Sequence, residues 1–261
     1  MFNFEKRLSE IGAQTVLCVG DLMLDNFVYG EVARISPEAP APVLQVSREE
    51  LVIGGAGNVA RNVASLGARC IFVGVVGNDE AGLKLTHAFD ELKGAVEPHL
   101  VIDRGRPTTR KVRFVSEHHS THLLRADWEL AQAASPAVES ALIAYAAAAL
   151  PRVSAVVLSD YAKGALTPRV VRGVIETANN AGRPVIVDPK GADYGLYRGC
   201  TLITPNRKEL AEATRKAANT EEEIAAAAEE LCRIVESKAA LVTRSEEGMT
   251  LVVPGEPPVH V

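Results

Sequence analysis

The chain predicts an α/β fold, a mostly parallel sheet flanked by helices on both faces, with a small β lid. Three observations carry this. From Pro136 onward, short apolar runs alternate with segments of helical spacing, as strands joined by crossover helices do. The apolar runs close on polar groups: Asp160, Asp188 with Lys190, and Asn206 with Glu209. Two stretches, about 27–50 and 105–126, break the alternation, the first with Pro37, Pro40 and Pro42 and the second with interleaved basic and apolar residues.

Taken in order, Phe2–Ile11 reads as a short amphipathic helix, and Thr15–Val19 as a buried strand closed by Gly20-Asp21. Ligands of open α/β sheets collect at the carboxyl ends of strands, so Asp21 and Asp25 of GDLMLD are candidates to face a site. Val43–Val46 is a strand introduced by prolines. Cys70–Val76 is a strand and Asp79–Lys93 a helix. Thr108–Ser116 alternates, with His122–Ala126 as its partner, so Lys111 and Arg113 share one face and Val112 and Phe114 the other. A basic face on an acidic protein suggests a flap with cations turned toward a ligand; a solvated strand face is the alternative. Ser135 caps a helix over Pro136–Leu150. Then come a strand at Val153–Leu158, a helix from Thr167-Pro168, and strands at Pro184–Val187 and Thr201–Thr204. Thr220 and Glu223 form a capping box for a helix to about Ser237, and strands follow at Ala239–Thr243 and Met249–Val253.

With 261 residues, 47% hydrophobic and 23% charged, the chain can bury a substantial core as one domain. Its net charge of -5 argues against general nucleic-acid binding. Cys18, Cys70, Cys200 and Cys232 contain no CxxC pair and read as reduced, buried thiols. The longest apolar run, 141–150, is too short to cross a bilayer. A cytoplasmic protein without a membrane partner is expected.

The densest chemistry lies in Ile53–Gly67, IGGAGNVARNVASLG. Gly54, Gly55 and Gly57 free the backbone for positive φ and close approach, and a helix beginning near Asn58 would aim its unpaired N–H groups at a polyhydroxylated or anionic ligand. A tight turn before a core helix is the plainer reading. Gly55–Ala60 also fits the dinucleotide fingerprint GxGxxA, but SREEL before it does not read as a strand and the following strand ends in Gly77-Asn78 rather than an acid. His118, His119 and His122 read as solvated histidines on a polar turn rather than a zinc site.

The run from Gly54 through Asn58 and Ala60 to Gly67 and Gly77 resembles the first signature of the ribokinase-like (PfkB) carbohydrate kinases, and Asn206-Arg-Lys-Glu209 resembles their NxxE motif. GDLMLDNFVYG, ARISPEAPAPV, LSDYAKGAL, VDPKG and VTRSEEGM are similar to the branch acting on D-glycero-β-D-manno-heptose 7-phosphate. The resemblance implies ATP-dependent phosphorylation of C1 to the 1,7-bisphosphate, a step toward ADP-heptose and the lipopolysaccharide core. It also implies residue roles. Asp25, Gly54, Gly55 and Asn58 would bind the sugar, and Lys111 or Arg113 its phosphate. Lys190, Asn206, Thr243, Ser245 and Gly248 would border ATP, and Asn206 with Glu209 would hold hydrated Mg²⁺. A homodimer through the lid, with Val112 and Phe114 at the interface, is expected.

The family's second signature, Gly-Ala-Gly-Asp, whose Asp is the base, does not occur in these residues, and Asp193 belongs to another loop. The base is expected beyond Val261, in a kinase domain incomplete at its C-terminal end. Another ribokinase-like sugar kinase, or a sugar-binding remnant without transfer, are the alternatives.

Overall fold

The computed structural model describes residues 3–92, 94–118, 121–191 and 193–261, so Phe2, Lys93 and His119 lie outside the described residues. After a surface helix, α1 (Phe4–Gly12), the chain enters the sheet centre as β1 (Thr15–Gly20). It leaves at once along two long strands, β2 (Leu22–Ile35) and β3 (Pro42–Gly55), and returns through α2 (Ala56–Ser65) to β4 (Arg69–Gly77). Next come α3 (Glu80–Asp90) and β5 (Val96–Asp103), then the lid strands β6 (Arg110–Ser116) and β7 (Thr121–Trp128). The remainder alternates: α4 (Pro136–Ala149), β8 (Ala155–Ser159), α5 (Pro168–Asn180), β9 (Val185–Asp188), β10 (Leu202–Ile203), α6 (Arg207–Thr214), α7 (Glu221–Val235) and β11 (Ala239–Thr243). A hairpin of β12 (Met249–Val252) and β13 (Val259–His260) follows.

Among the described residues the larger sheet has nine strands in the order β13-β12-β11-β10-β9-β8-β1-β4-β5, parallel from β11 to β5 and antiparallel from β11 through β12 to β13. Alternation along its central strands splits the interior into two cores. Leu17, Val19, Ile71 and Val73 pack with the buried sides of α4, α5 and α7, while Cys18, Cys70 and Phe72 pack with those of α2 and α3. Phe72 stacks on Phe89 at 5.1 Å. Local chemistry sets the helix starts: Ser135, Thr167 and Thr220 each accept an N–H of the first turn, and proline follows the first two.

The lid is a second, four-stranded sheet in the order β3-β2-β6-β7, larger than the stretches expected for it. Lys111 lies opposite Asp25 and Arg113 opposite Phe27 in the β2–β6 register, so these cations share one face as expected. Three expectations are corrected. Asp25 stands on a strand rather than in a loop, because β2 follows β1 after the single residue Asp21. The strand expected at Val43–Val46 runs on to Gly55, so a strand does precede the glycines; it is a lid strand, antiparallel to β2, and no dinucleotide-binding βαβ unit forms. Strand β5 was not expected: Glu97, Pro98 and His99 disguise it, and these residues are tolerated because it is an edge strand.

Candidate active site

One seam of backbone hydrogen bonds crosses the carboxyl ends of the strands. Ala56 N donates to Asp21 O (2.9 Å), Asp21 N to Ser159 O (3.3 Å), Asp160 N to Asp188 O (3.0 Å), Thr204 N to Val187 O (2.9 Å) and Thr243 N to Pro205 O (3.0 Å). The loops carrying the glycine corner, Asp160, Asp188 with Lys190, Asn206 and Thr243 thus form a continuous edge, where ligands of parallel sheets bind.

At one end of this edge stands the glycine corner. Helix α2 starts at Ala56, two residues earlier than expected, with Gly55 as its N-cap at φ +59°; of Gly54, Gly55 and Gly57 only Gly55 takes a positive φ. Gly54 serves close approach instead, since a Cβ there would overlap Asp25 Oδ2. A Cβ on Gly57 would overlap Ile53 and Leu22, so that glycine seats the helix on the core. Asn58 is exposed in the first turn of α2. Asp25 is paired with Arg113, whose guanidinium lies 5.0 Å from the Phe27 ring centre. Lys111 Nζ is 3.0 Å from Asp127 Oδ2 and 3.0 Å from Glu129 Oε2.

Asp21, named for its position alone, clamps the loop after β8. Its Oδ2 accepts from Tyr161 N (2.9 Å) and Lys163 N (3.0 Å), and its Oδ1 from Ala165 N (3.0 Å). Asp160 beside it accepts from Tyr197 Oη (2.6 Å) and Ala162 N (2.7 Å). Burial pushes the Asp160 carboxyl up to about 6, with Tyr197 and Ala162 opposing and the charge of Asp21 adding to the rise.

At the other end, Lys190 Nζ is 2.7 Å from Glu209 Oε1, which holds the lysine above its ordinary pKa. Asn206 and Glu209 form a capping box on α6: Glu209 N donates to Asn206 Oδ1 (2.9 Å) and Asn206 N to Glu209 Oε2 (3.0 Å). Burial, then the charge of Glu209, raises Asp188 to about 6, against the pull of Lys190. Thr243 bridges to Asn206, and the turn through Ser245 closes on Gly248 (φ +87°), whose O accepts from Arg244 N at 2.8 Å. Among the described residues no group of three or more His, Cys, Asp or Glu could cage a metal ion. Glu209 and Asp188, with Asn206 beside them, are the groups here that could hold a hydrated Mg²⁺, an ion that keeps its waters and uses one or two carboxylates.

Sequence reasoning missed the residues that brace this edge. Arg106 Nη2 donates to Leu130 O (3.2 Å) and Lys163 O (3.0 Å), and also to Gln132 O, tying both lid hinges to the loop after β8. Asp79 accepts from Thr108 N (2.8 Å), Thr108 Oγ1 (2.7 Å) and Gly82 N (2.9 Å), fixing the second hinge to the start of α3. Lys163 pairs with Glu129 at 2.9 Å. Its only sequence signal was the run DYAKG at a strand end. Asp193 caps the short 3-10 turn Tyr194–Tyr197, away from the role of a base. A cavity of about 600 Å³ lined by Thr15, Arg69, Glu97 and Arg152 lies at the amino ends of the strands, opposite this edge, and contains none of the expected residues.

The family described as pfkB family carbohydrate kinase matches residues 13–260. A relative from Nitrobacter hamburgensis, the bifunctional protein HldE, is 59% identical over 261 residues, covering 100% of this chain and 53% of its own. The chain therefore spans about half the length of the curated relatives it matches. Ribokinase of Arabidopsis thaliana, solved with ribose and ATP, superposes with a TM-score of 0.69 at 20% identity, covering 95% of this chain and 78% of that one. Phosphofructokinase-2 of Escherichia coli, in its tetrameric inhibited form, superposes at 0.75 and 20% identity with the same coverage. These likenesses show a ribokinase-like fold.

Proposed function

We propose that this chain, which belongs to the pfkB family of carbohydrate kinases, supplies the sugar and nucleotide sites for ATP-dependent transfer of phosphate to C1 of D-glycero-β-D-manno-heptose 7-phosphate, in the route to ADP-heptose. The observation that supports the reading is the bonded seam from Ala56 to Thr243, which joins the glycine corner to the strand ends carrying Asp160, Asp188 with Lys190, Asn206 and Thr243. Identity of 59% over the whole chain to a protein named HldE favours the heptose over other sugars.

In this reading Asp25, held against Gly54 and by Arg113, accepts from sugar hydroxyls, and Asn58 and the backbone at Gly55 complete the corner. Lys190 moves from Glu209 to the nucleotide phosphates, and Thr243, Ser245 and Gly248 border the nucleotide. Bound Mg²⁺ would neutralise charge developing on the transferred group, held through water by Glu209 and Asp188 beside Asn206. The chain's part is alignment in a site of fixed dipoles, where phosphoryl transfer gains most. A second copy is proposed to dock through the lid.

Calorimetric titration with the heptose phosphate, D-fructose 6-phosphate and ribose, each with and without a non-hydrolysable ATP analogue, tests the preference. Tightest binding of the heptose phosphate, together with binding of the analogue, supports the proposal. Tighter binding of fructose 6-phosphate or ribose overturns it.

A further inference from the structure

Beside the sugar corner, two lysines share one carboxylate. Lys111 Nζ is 3.0 Å from Glu129 Oε2, and Lys163 Nζ is 2.9 Å from Glu129 Oε1. Both lysine side chains are largely covered, at 13% and 19% exposure, and they come from separate parts of the fold, the lid strand β6 and the loop clamped by Asp21. Lys111 stands opposite Asp25 in register, so the pair adjoins the residue proposed to hold the sugar. Arg113, the other cation on this face of β6, is already committed to Asp25.

Two half-buried ammonium groups beside each other repel, and each loses hydration. One carboxylate with an oxygen on each lysine relieves both costs. A phosphate monoester offers the same pair of acceptor oxygens with more charge. The two acids of the cluster also differ in how firmly they are held. Asp127 lies within β7 and pairs with Arg125 at 3.0 Å as well as with Lys111. Glu129 lies just past the end of β7, outside its ladder, and its carboxylate bonds to the two lysines, so only these side-chain contacts need to be exchanged.

Resting on the reading that a phosphosugar binds at the glycine corner, we propose that Glu129 is a resident counter-anion displaced by the substrate's terminal phosphate, which Lys111 and Lys163 then grip together. Specificity for a phosphorylated sugar would follow from this exchange: a sugar without phosphate leaves Glu129 in place and gains neither lysine. Glu129 also tunes affinity, because its attraction for the two lysines must be given up on binding.

The test is calorimetry with matched pairs, D-glycero-D-manno-heptose 7-phosphate against the free heptose and fructose 6-phosphate against fructose, on wild type, Glu129→Gln, Lys163→Met and Lys163→Arg. Glu129→Gln is expected to bind the phosphorylated member roughly threefold tighter and Lys163→Met roughly tenfold weaker, with the free sugar unchanged in both. Lys163→Arg is expected to keep most of the phosphate preference, which separates lost charge from lost folding. Weaker phosphosugar binding by Glu129→Gln, equal shifts for both members of a pair, or no response to phosphate in any pair would overturn the exchange. If only the fructose pair shows the pattern, the heptose assignment falls and the seat stands. If the heptose phosphate binds with no response at Glu129 and Lys163, the seat falls and the assignment stands.

Discussion

Gly54 concentrates the chemistry of the proposed sugar corner into one missing atom. Its absent side chain lets the Asp25 carboxylate lie against the backbone, where Arg113 holds it. Gly54→Ala would press a methyl group into the Asp25 carboxylate and Met23 Cγ, so the carboxylate has to leave its place. Sugar affinity should fall roughly tenfold or more, about 1.4 kcal/mol, while affinity for an ATP analogue stays put. Equal loss for both ligands in calorimetry would mean that the corner as a whole had collapsed. Asp188 gives a pH signature at the other end. Its carboxyl is lifted to about 6 by burial and by Glu209. A carboxyl with a folded pKa above its unfolded value, about 3.9, favours the folded state while protonated and loses that contribution as pH rises through the interval to about 6. Asp188→Asn is neutral throughout. Its melting temperature should exceed that of wild type above about pH 6 and converge with it toward pH 4 in a fluorimetric pH series. A gap that widens toward acid would contradict the assigned burial.

At the scale of elements, the loop after β8 depends on one carboxylate. Asp21 is 2% exposed and accepts from the backbone of Tyr161, Lys163 and Ala165. Asp21→Ala would strand those amides, at about 1–3 kcal/mol for each one left buried and unpaired. We expect a loss of several kcal/mol in denaturant unfolding, and hydrogen exchange at these three amides faster than in the β1 ladder. Uniform acceleration across the chain would show instead a general loss of stability. The elements themselves were legible wherever their signals are local. Ser135-Pro136, Thr167-Pro168 and Thr220 with Glu223 mark helix starts within a few residues, and the alternation of Lys111 and Arg113 against Val112 placed the cations on one lid face. Pairings made across the chain were not legible. Arg113 and Asp25 are 88 residues apart and Lys163 and Glu129 are 34, so no spacing rule links them. Strand β2 hid for a different reason: Asp25 reads as a loop residue until the facing lid strands give it a role. Asn206 and Glu209 show one pair with two readings, since a capping box and an NxxE motif use the same spacing.

The whole molecule leaves one face unfinished. On the lid, register puts Leu51, Phe114, Leu124 and Trp128 on the side opposite Lys111 and Arg113. Leu51 is 42% exposed, Leu124 61% and Trp128 47%, so this sheet face carries large apolar groups in contact with water. Val112 was expected at a subunit interface but is 3% exposed within one chain, so its cover is already supplied and Phe114 with Leu124 takes its place in the expectation. A second lid laid on the first by a two-fold axis would cover the same residues in both copies, the closure most common among oligomers. Because β3 and β7 are also sheet edges, the same docking would shield exposed strand edges from open-ended pairing. The prediction is a dimer at micromolar concentration in sedimentation velocity, converted to monomer by Leu124→Asp. The exposed position of Leu124 means that the charge costs the single chain little, so melting of the monomeric variant should stay cooperative. A wild-type chain that sediments as a monomer at that concentration, or a dimer indifferent to Leu124→Asp, would place the contact elsewhere and leave the lid to close over its own sugar alone.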